Sequence, residues 1–494
     1  MTHPNIILFC TDQQRSDSLG CSGNDFAATP NIDRIAAAGT RLVNHRTPNP
    51  ICSPSRASMF TGLYPRTHGL CCNGIALDPT LPTLPAILAS SGYRTHGVGK
   101  FHLQPMRAPA ELELPDSFAY WSRPGAESWD GPFYGFEQIQ SVIGHGQDVV
   151  KGGHYARWLA EHHPDAVRLH APQHALDPAP DDLDECWKSA VPPELHCNRW
   201  IARRAAAYID TADEPFFLFV SFPDPHHPFA PPRPYCDSFD PADVPMPRAV
   251  EGELDRMPPY ILQPAHSDEQ GKLLLTKDLS ESTLRRTIAH TYGMVQMIDD
   301  CVGTVLEALE RRGEMQQTLI AFTSDHGELL GDHGLLRKGP PPYRQLLEVP
   351  MILKGPGIPA GRNIDALTSH IDLAPTLLDF AGIDRVPPGL EGVTLRPLLT
   401  GGVEAVRDAQ YSEYHPRAAA DLYNQTIRTD QWRLTLYPLH EDWGELFDME
   451  VDPYEHENRF DDPSLSDVVK RLTEQMRSEF PPRAGIDAPR LSMW

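Results

Sequence analysis

Asn5-Ile6-Ile7-Leu8-Phe9-Cys10-Thr11-Asp12-Gln13-Gln14 decides the architecture, because an apolar run ends abruptly in a carboxylate and two amides. Asn5 to Cys10 reads as a buried strand. Three further runs repeat the pattern. Thr95 to Val98 gives onto Gly99-Lys100-Phe101-His102, Phe216 to Phe222 onto Pro223-Asp224-Pro225-His226-His227-Pro228, and Leu319 to Thr323 onto Ser324-Asp325-His326-Gly327. Helical patterns separate them, so the period is βα. In a parallel sheet the strand C-termini share one edge, and ligands bind in the crevice outside it. Asp12, Lys100, His102, His226, Asp325 and His326 are therefore expected in one crevice.

The intervening helices carry ordinary boundary signals: Thr29-Pro30 with Gly39, Gly92 closing a second, and Gly313 ending a long helix that begins near Ser280. Another starts near Asp372, with Gly382 beyond its end. After about Val386 the pattern changes to short strands, Gln410 to Glu413, Asn424 to Thr429, Trp432 to Tyr437 and Glu445 to Asp448, which predicts a small antiparallel sheet. The expected division is a catalytic domain over 1–385, holding a Pro-rich variable insert at 105–200, and a C-terminal subdomain over 386–494 that ends in a helix and tail. The stretch from Pro105 to Pro234, which takes in the insert, should be rich in loops, since many of the 50 prolines lie there.

Asn49-Pro50-Ile51-Cys52-Ser53-Pro54-Ser55-Arg56-Ala57-Ser58-Met59-Phe60-Thr61-Gly62 reads as a loop entering a short helix, with Pro in its first turn and Gly after its end. Cys52 then sits at a helix N-terminus, where unpaired N–H groups and the helix dipole favour an oxyanion. Asp12, Asp325 and His326, with Gln13 as a carbonyl oxygen, form a hard, mostly oxygen ligand set for one divalent ion. Ca²⁺ is the first choice, with Mn²⁺ or Mg²⁺ next because one ligand is imidazole. Each aspartate taken singly would pass for a helix cap or turn residue. Their positions after two strands, near Cys52, favour the metal.

With 43 Lys and Arg against 67 Asp and Glu, the net charge is −24 over 494 residues. Such an acidic surface disfavours nucleic acid and anionic membrane as partners, so an anionic substrate needs a local positive cluster. No stretch is apolar enough to span a bilayer, and the first residues lack a signal-peptide pattern. The chain reads as cytoplasmic, or as one from which an export signal has been removed. Nine cysteines without scaffold-like spacing fit a reducing compartment.

Taken together, Thr11-Asp12-Gln13-Gln14, Thr29-Pro30-Asn31-Ile32-Asp33, Cys52-Ser53-Pro54-Ser55-Arg56 with Thr61-Gly62, Gly99-Lys100-Phe101-His102-Leu103, Pro225-His226-His227-Pro228, Ser324-Asp325-His326-Gly327 and Leu336-Arg337-Lys338 resemble the type I sulfatases of the alkaline phosphatase superfamily, over nearly the full length. The resemblance implies an α/β fold: a central mixed, mostly parallel sheet flanked by helices, plus a smaller C-terminal α+β subdomain with an antiparallel sheet. It also implies hydrolysis of small-molecule sulfate esters, arylsulfatase-like, and oxidation of Cys52 to formylglycine by a formylglycine-generating enzyme. Carried over, Asp12, Gln13, Asp325, His326 and the modified Cys52 would hold the metal. Arg56 and His102 would orient the aldehyde hydrate, with Asp325 as base for one of its hydroxyls. Lys100, His226 and Lys338 would hold sulfate oxygens, with His226 protonating the leaving oxygen and Asn73 as a further donor. Two departures stand out: many sulfatases carry a second Asp where this chain has Gln13, and Asn where it has His326.

The nearest alternative within the resemblance is a phosphonate monoester hydrolase or phosphodiesterase using the same formylglycine; that branch typically lacks the Lys-x-His pair found at Lys100 and His102. A two-metal phosphatase would need a second ligand set, for which Asp224, His227 and His370 are the candidates. A non-catalytic binder would leave Cys52 unoxidised. Tyr343, Arg344, Trp432 and the Trp-rich region from Trp121 to Trp200 are candidates for the entrance. The apolar tail from Ser466 to Trp494 suggests docking on a neighbouring subunit in a homo-oligomer.

Overall fold

The computed structural model describes residues 3–212, 215–262, 273–384, 388–416, 422–440, 442–481 and 488–492. Its main sheet is built from β1 (Asn5–Thr11), β2 (Thr40–Leu42), β3 (Arg94–Gly99), β4 (Gln138–Ser141), β5 (Phe216–Ser221), β6 (Thr318–Ser324), β7 (Met351–Lys354) and β8 (Arg362–Ile364). The order across the sheet is β8-β2-β7-β6-β1-β5-β3-β4. β7 alone pairs antiparallel, with β6 and β2; every other pairing in this sheet is parallel. The sheet is thus mixed and mostly parallel.

β1 is buried along its whole length because it lies centrally and is covered on both faces. Its side chains alternate between two apolar layers, Ile6, Leu8 and Cys10 on one and Ile7 and Phe9 on the other. On the first face lie α2 (Cys52–Thr61), α3 (Leu84–Ser90) and α6 (Leu373–Phe380); on the second lie α1 (Pro30–Ala37), α4 (Cys197–Thr211) and α5 (Glu281–Arg312). Phe60 of α2 packs edge-on against Phe219 and Phe136, with ring centroids 5.0 and 5.7 Å apart. Truncating Phe60 to Ala would cost about 3–5 kcal/mol, since the rings around it cannot collapse into the gap.

α5 starts where Ser280 caps it, the side chain accepting from the Thr283 amide, and stops at Gly313, whose φ of 71° few other residues tolerate. The insert holds loops and short helical turns around one longer helix, Gly153–His162, and it also supplies edge strand β4. The C-terminal sheet is antiparallel in the order β9 (Gln410–Tyr414), β10 (Asn424–Arg428), β11 (Trp432–Leu436), β12 (Gly444–Asp448). Leu472 and Met476 of α7 (Ser466–Glu479) pack against its Ile427 and Leu434. The anticipated division between residues 385 and 386 lies outside the described residues. No helix among the described residues is long and apolar enough to cross a membrane.

The described end of the tail folds back on its own chain: the amides of Leu491 and Ser492 donate to the Gly74 carbonyl at 2.7 and 3.4 Å. Met493 and Trp494 lie outside the described residues.

Candidate active site

The sheet brings the strand-end residues to one edge. β1, β6 and β5 run parallel in register, with Cys10 opposite Thr323 and Ser221, so Asp12 and Asp325 emerge side by side and the Asp12 amide donates to the Asp224 carbonyl. At the end of β3, a Cβ on Gly99 would stand 1.8 Å from the Ser221 carbonyl oxygen, so only glycine permits the approach. The next amide, Lys100 N–H, donates to that same carbonyl at 3.1 Å. Gln13 and His102, just past their strands, have φ of 65° and 55°, a left-handed backbone that costs free energy in non-glycine residues and collects at functional sites.

Cys52 is the first residue of α2, 1% exposed. Its Sγ lies 3.0 Å from Lys338 Nζ, 3.1 Å from His326 Nε2 and 3.7 Å from Asp12 Oδ1. One turn on, Arg56 is wholly buried and fully engaged: Nε donates to Asp325 Oδ2 at 2.8 Å, Nη2 to Asp12 Oδ2 at 3.2 Å, and Nη1 to the Lys100 carbonyl and Ser221 Oγ. Lys100 Nζ reaches Asp12 and His145 Nε2. Arg56, Lys100 and Lys338 face only Asp12 and Asp325 here, so the centre is positive inside an acidic protein.

These charges set the ionisation of the centre. Burial opposes the charge on Asp12, but Lys100, His145, His226 and Arg56 hold its carboxyl well below the usual range. Burial and Asp12 push the Cys52 thiol up, and Lys100, Lys338 and His326 more than reverse this. Burial and Lys338 act against a charged His326, yet Asp325 and Cys52 raise its pKa. His226 is held well below its ordinary value by burial, His145, His227 and Lys338.

Several buried polar atoms around this centre lack a hydrogen-bond partner: Gln13 Oε1, Asn73 Nδ2, both ring nitrogens of His102, and His226 Nε2. An unmet buried group costs about 1–3 kcal/mol, and such a concentration is what a ligand site leaves when its ligand is subtracted. The amide nitrogen of Gln13 is fixed between Glu328 Oε2 and His227 Nδ1, which leaves its Oε1 open. His326 Nδ1 donates to the Gly327 carbonyl at 2.9 Å, so Nε2 carries the lone pair. Ligand atoms of Asp12, Cys52, Asp325 and His326 lie within 4.8 Å of one another. With the bare Gln13 oxygen, this donor set fits a single divalent cation. Asn73 Oδ1 accepts from the Ser53 amide at 3.3 Å, and its open Nδ2 suits an anion.

The second ligand set does not assemble among the described residues: Asp224 is bound by Asn198, His227 by Gln13, and His370 by His45 and the Ser324 carbonyl. Nor do most of the suggested entrance residues line the opening. Tyr343 is buried under His333, Arg344 pairs with Glu348, and Trp432 belongs to the C-terminal core. A cavity of about 750 Å³ beside the centre is bordered instead by His145, His226, His227, Trp187, Lys151 and Arg337. Two residues in contact with the centre carry no clear mark in the sequence. His145 stacks face to face on His226 at 3.7 Å and touches Lys100. It follows edge strand β4 by four residues, but Gln138–Ser141 has too little apolar character to read as a strand, so no strand end points to it. Glu328, which clamps Gln13, has only its place two residues after His326 as a signal.

The chain matches the family model described as Sulfatase over residues 4–383, and that described as N-sulphoglucosamine sulphohydrolase, C-terminal, over residues 331–480. It is 28% identical to an arylsulfatase of Clostridium perfringens over 96% of this chain and 94% of the relative. It is 27% identical to a choline-sulfatase of Rhizobium meliloti, covering 93% and 83%. Among solved structures, a phosphonate monoester hydrolase of Agrobacterium radiobacter superposes with a TM-score of 0.79 at 28% identity, over 96% and 95% of the two chains.

Proposed function

Because the chain belongs to the sulfatase family and is a sulfuric ester hydrolase, we propose that it cleaves sulfate monoesters at Cys52, oxidised to formylglycine by a formylglycine-generating enzyme. One divalent metal, Ca²⁺ first and Mn²⁺ or Mg²⁺ next, would be held by Asp12, Gln13, Asp325, His326 and the modified Cys52. The observation that carries this reading is the nucleophile position itself: a buried helix N-terminus ringed by Lys338, His326 and Asp12, amid polar atoms without partners.

Hydrated formylglycine would supply two hydroxyls, one to attack sulfur and one whose proton loss later expels sulfate; a metal held by Asp12, Gln13, Asp325 and His326 would supply Lewis-acid polarisation of a sulfuryl oxygen. The remaining work falls to side chains of this chain. Lys100 and Lys338 hold sulfuryl oxygens, joined by the open Asn73 Nδ2, and preorganised charge of this kind supplies the largest share of the rate enhancement. Arg56, spent on Asp12, Asp325, the Lys100 carbonyl and Ser221 Oγ, positions the carboxylates. His102, with both nitrogens open, is free to orient the hydrate. Asp325 is the candidate base toward it. His226 donates from Nδ1 to the His227 carbonyl, so its Nε2 faces the substrate. The positive surroundings keep it neutral, with a lone pair on Nε2; an arriving sulfate offsets them, so that Nε2 takes up a proton from solvent and passes it to the leaving oxygen.

The phosphonate alternative is favoured by one finding, the 0.79 TM-score against a phosphonate monoester hydrolase. Both substrates are tetrahedral oxyanions, so cross-reactivity is expected. We place the domain boundary at 385/386, assign the Pro-rich insert to substrate selection, and leave a homo-oligomer to be tested by light scattering.

The deciding experiment coexpresses the chain with the maturation enzyme, weighs the peptide containing Cys52, and measures turnover of aryl sulfate against aryl phosphonate. A loss of about 18 Da from the thiol, with aryl sulfate the faster substrate, is expected. Cys52→Ser should lose multiple turnover, by at least about 10⁴-fold. An unmodified thiol with undiminished turnover would remove formylglycine from the account, and a sulfate-to-phosphonate ratio far below one would reverse the ranking.

A further inference from the structure

Away from the catalytic centre, three segments meet at a second cluster of ligand-type side chains. Glu253 lies on the segment before Leu254–Arg256, His333 on the loop leading to Lys338, and His456 in the C-terminal subdomain. Their ligand atoms all lie within 4.8 Å of one another. His333 is fully buried and clamped in orientation, its ring stacked on Tyr343 at 3.6 Å and 6°.

The hydrogen-bond arithmetic leaves a gap for a cation. His333 lies between two partners, its Nε2 3.3 Å from Gln345 Oε1 and its Nδ1 against the Glu253 carboxylate. Nδ1 faces Glu253 Oε1 at 2.5 Å. In that contact His333 Nδ1–H donates to the carboxylate, and its proton is the one a divalent metal ion displaces when it binds both groups. His456 Nδ1 lies 3.4 Å from the other carboxylate oxygen, is buried, and makes no hydrogen bond. Two imidazole nitrogens and one carboxylate thus converge on one point, two of the three residues being buried. Without a cation the buried His456 Nδ1 is left unmet, at the cost an unpaired buried polar atom carries.

We propose that Glu253, His333 and His456 bind a structural zinc ion, with water completing a four-coordinate shell. Two imidazoles and a carboxylate suit Zn²⁺ rather than Ca²⁺, which prefers an all-oxygen shell of six or more ligands. Small side-chain rotations bring the three atoms to zinc bond lengths of about 2.0–2.2 Å. The ion ties the C-terminal subdomain to the catalytic body. The same joint is already held by Arg248, whose guanidinium lies 3.6 Å over the Tyr454 ring and whose amide donates to Asp332 beside His333.

The test uses the matured full-length protein, equilibrated with Zn²⁺, freed of excess by desalting, and assayed for zinc by mass spectrometry and for thermal midpoint. His456→Ala is the first variant, because its side chain is partly exposed and lies outside the catalytic centre; Glu253→Gln is the second. The native protein is expected to retain one zinc more per chain than either variant, and its midpoint should rise with zinc while theirs do not. Aryl sulfatase activity of His456→Ala at ambient temperature should be unchanged. Equal zinc in all three proteins, or a native midpoint indifferent to zinc, would overturn the proposal and leave the trio as a proton-bridged ion pair.

Discussion

Arg56 and Arg433 are both wholly buried, and each braces two carboxylates, yet their surroundings differ in one respect. Around Arg433 the partners are Glu445 and Glu455, closed over by the rings of Phe447 at 4.4 Å and Tyr343 at 5.5 Å. Around Arg56, Lys100 and Lys338 add two further cations, and a thiol stands among them. Burial and pairing are common to both networks, and both guanidiniums are held above their ordinary pKa by the carboxylates despite burial. What separates the chemical centre from the structural one is its surplus of positive charge, aimed at a point where ligand-type atoms are open.

The largest test of this contrast removes each guanidinium in turn. Arg433→Met leaves Glu445 and Glu455 buried without their cation, and breaking a buried pair in this way costs about 3–5 kcal/mol. A large fall in thermal midpoint is expected, with turnover per folded molecule unchanged. Arg56→Met should be comparably unstable because Asp12 and Asp325 lose the same support, but its folded fraction should also lose turnover, since the carboxylates it aligns move. Equal turnover per folded molecule in the two variants would erase the distinction. Denaturant titration with activity measured on the soluble fraction separates the two effects.

A smaller effect falls on charge alone. Lys338→Met keeps the bulk of the side chain and removes a cation that would otherwise leave the centre in surplus. The loss expected in kcat is about 10²–10³-fold, the range for deleting one preorganised electrostatic contact. Stability should hold or improve, because a buried ammonium is no longer desolvated. A fall in thermal midpoint with kcat intact would mark Lys338 as structural, like Arg433.

The sequence discloses this centre unevenly, for physical reasons. Asp12, Lys100, His226 and Asp325 are readable because each follows an apolar run, and a parallel sheet brings such ends together without further information. The C-terminal strands are readable to within a residue or two, since short alternating runs broken by turn residues allow little else. Asn73 and Lys338 follow no such run; only resemblance to a known family points to them. His145 is marked in the sequence only as an insert histidine that, with His154, His162, His163 and His170, could touch a substrate or face solvent; a loop between glycines has no periodicity, and its place against Lys100 depends on how the insert packs. The insert's edge strand β4 is hidden for the related reason that Gln138–Ser141 holds a single apolar residue, Ile139, in a proline-rich stretch, too short a pattern to read as a strand.

His154 offers the finest test, at the rim where the insert joins the sheet. Its Nδ1 accepts the Ser141 amide proton at 3.0 Å while Nε2 donates to the Trp129 carbonyl at 2.9 Å, so both nitrogens are spoken for by the neutral ring. Burial, opposed by the Trp129 carbonyl and aided by Arg157 and Arg204, pushes its pKa down to about 4. The sign follows from which state takes up protons. Above about pH 6.5 the ring is neutral in both folded and unfolded chains, and the contribution to stability is complete. As pH falls toward 4 the unfolded chain binds a proton that the folded one refuses, so stability is lost by about 2 kcal/mol at pH 5. Below about pH 4 both states are protonated and nothing more is lost from this group. His154→Gln, which can still accept from Ser141 but cannot titrate, should flatten the decline of thermal midpoint between pH 7 and pH 5 and leave the Ser141 amide protected from hydrogen exchange at the lower pH. Arg433 and its glutamates carry no histidine, so Arg433→Met should leave the slope of that decline as it is. An unaltered slope in His154→Gln would move the acid sensitivity to the other buried histidines of the catalytic body, among which His96, His290 and His370 are also held at about 4 by burial.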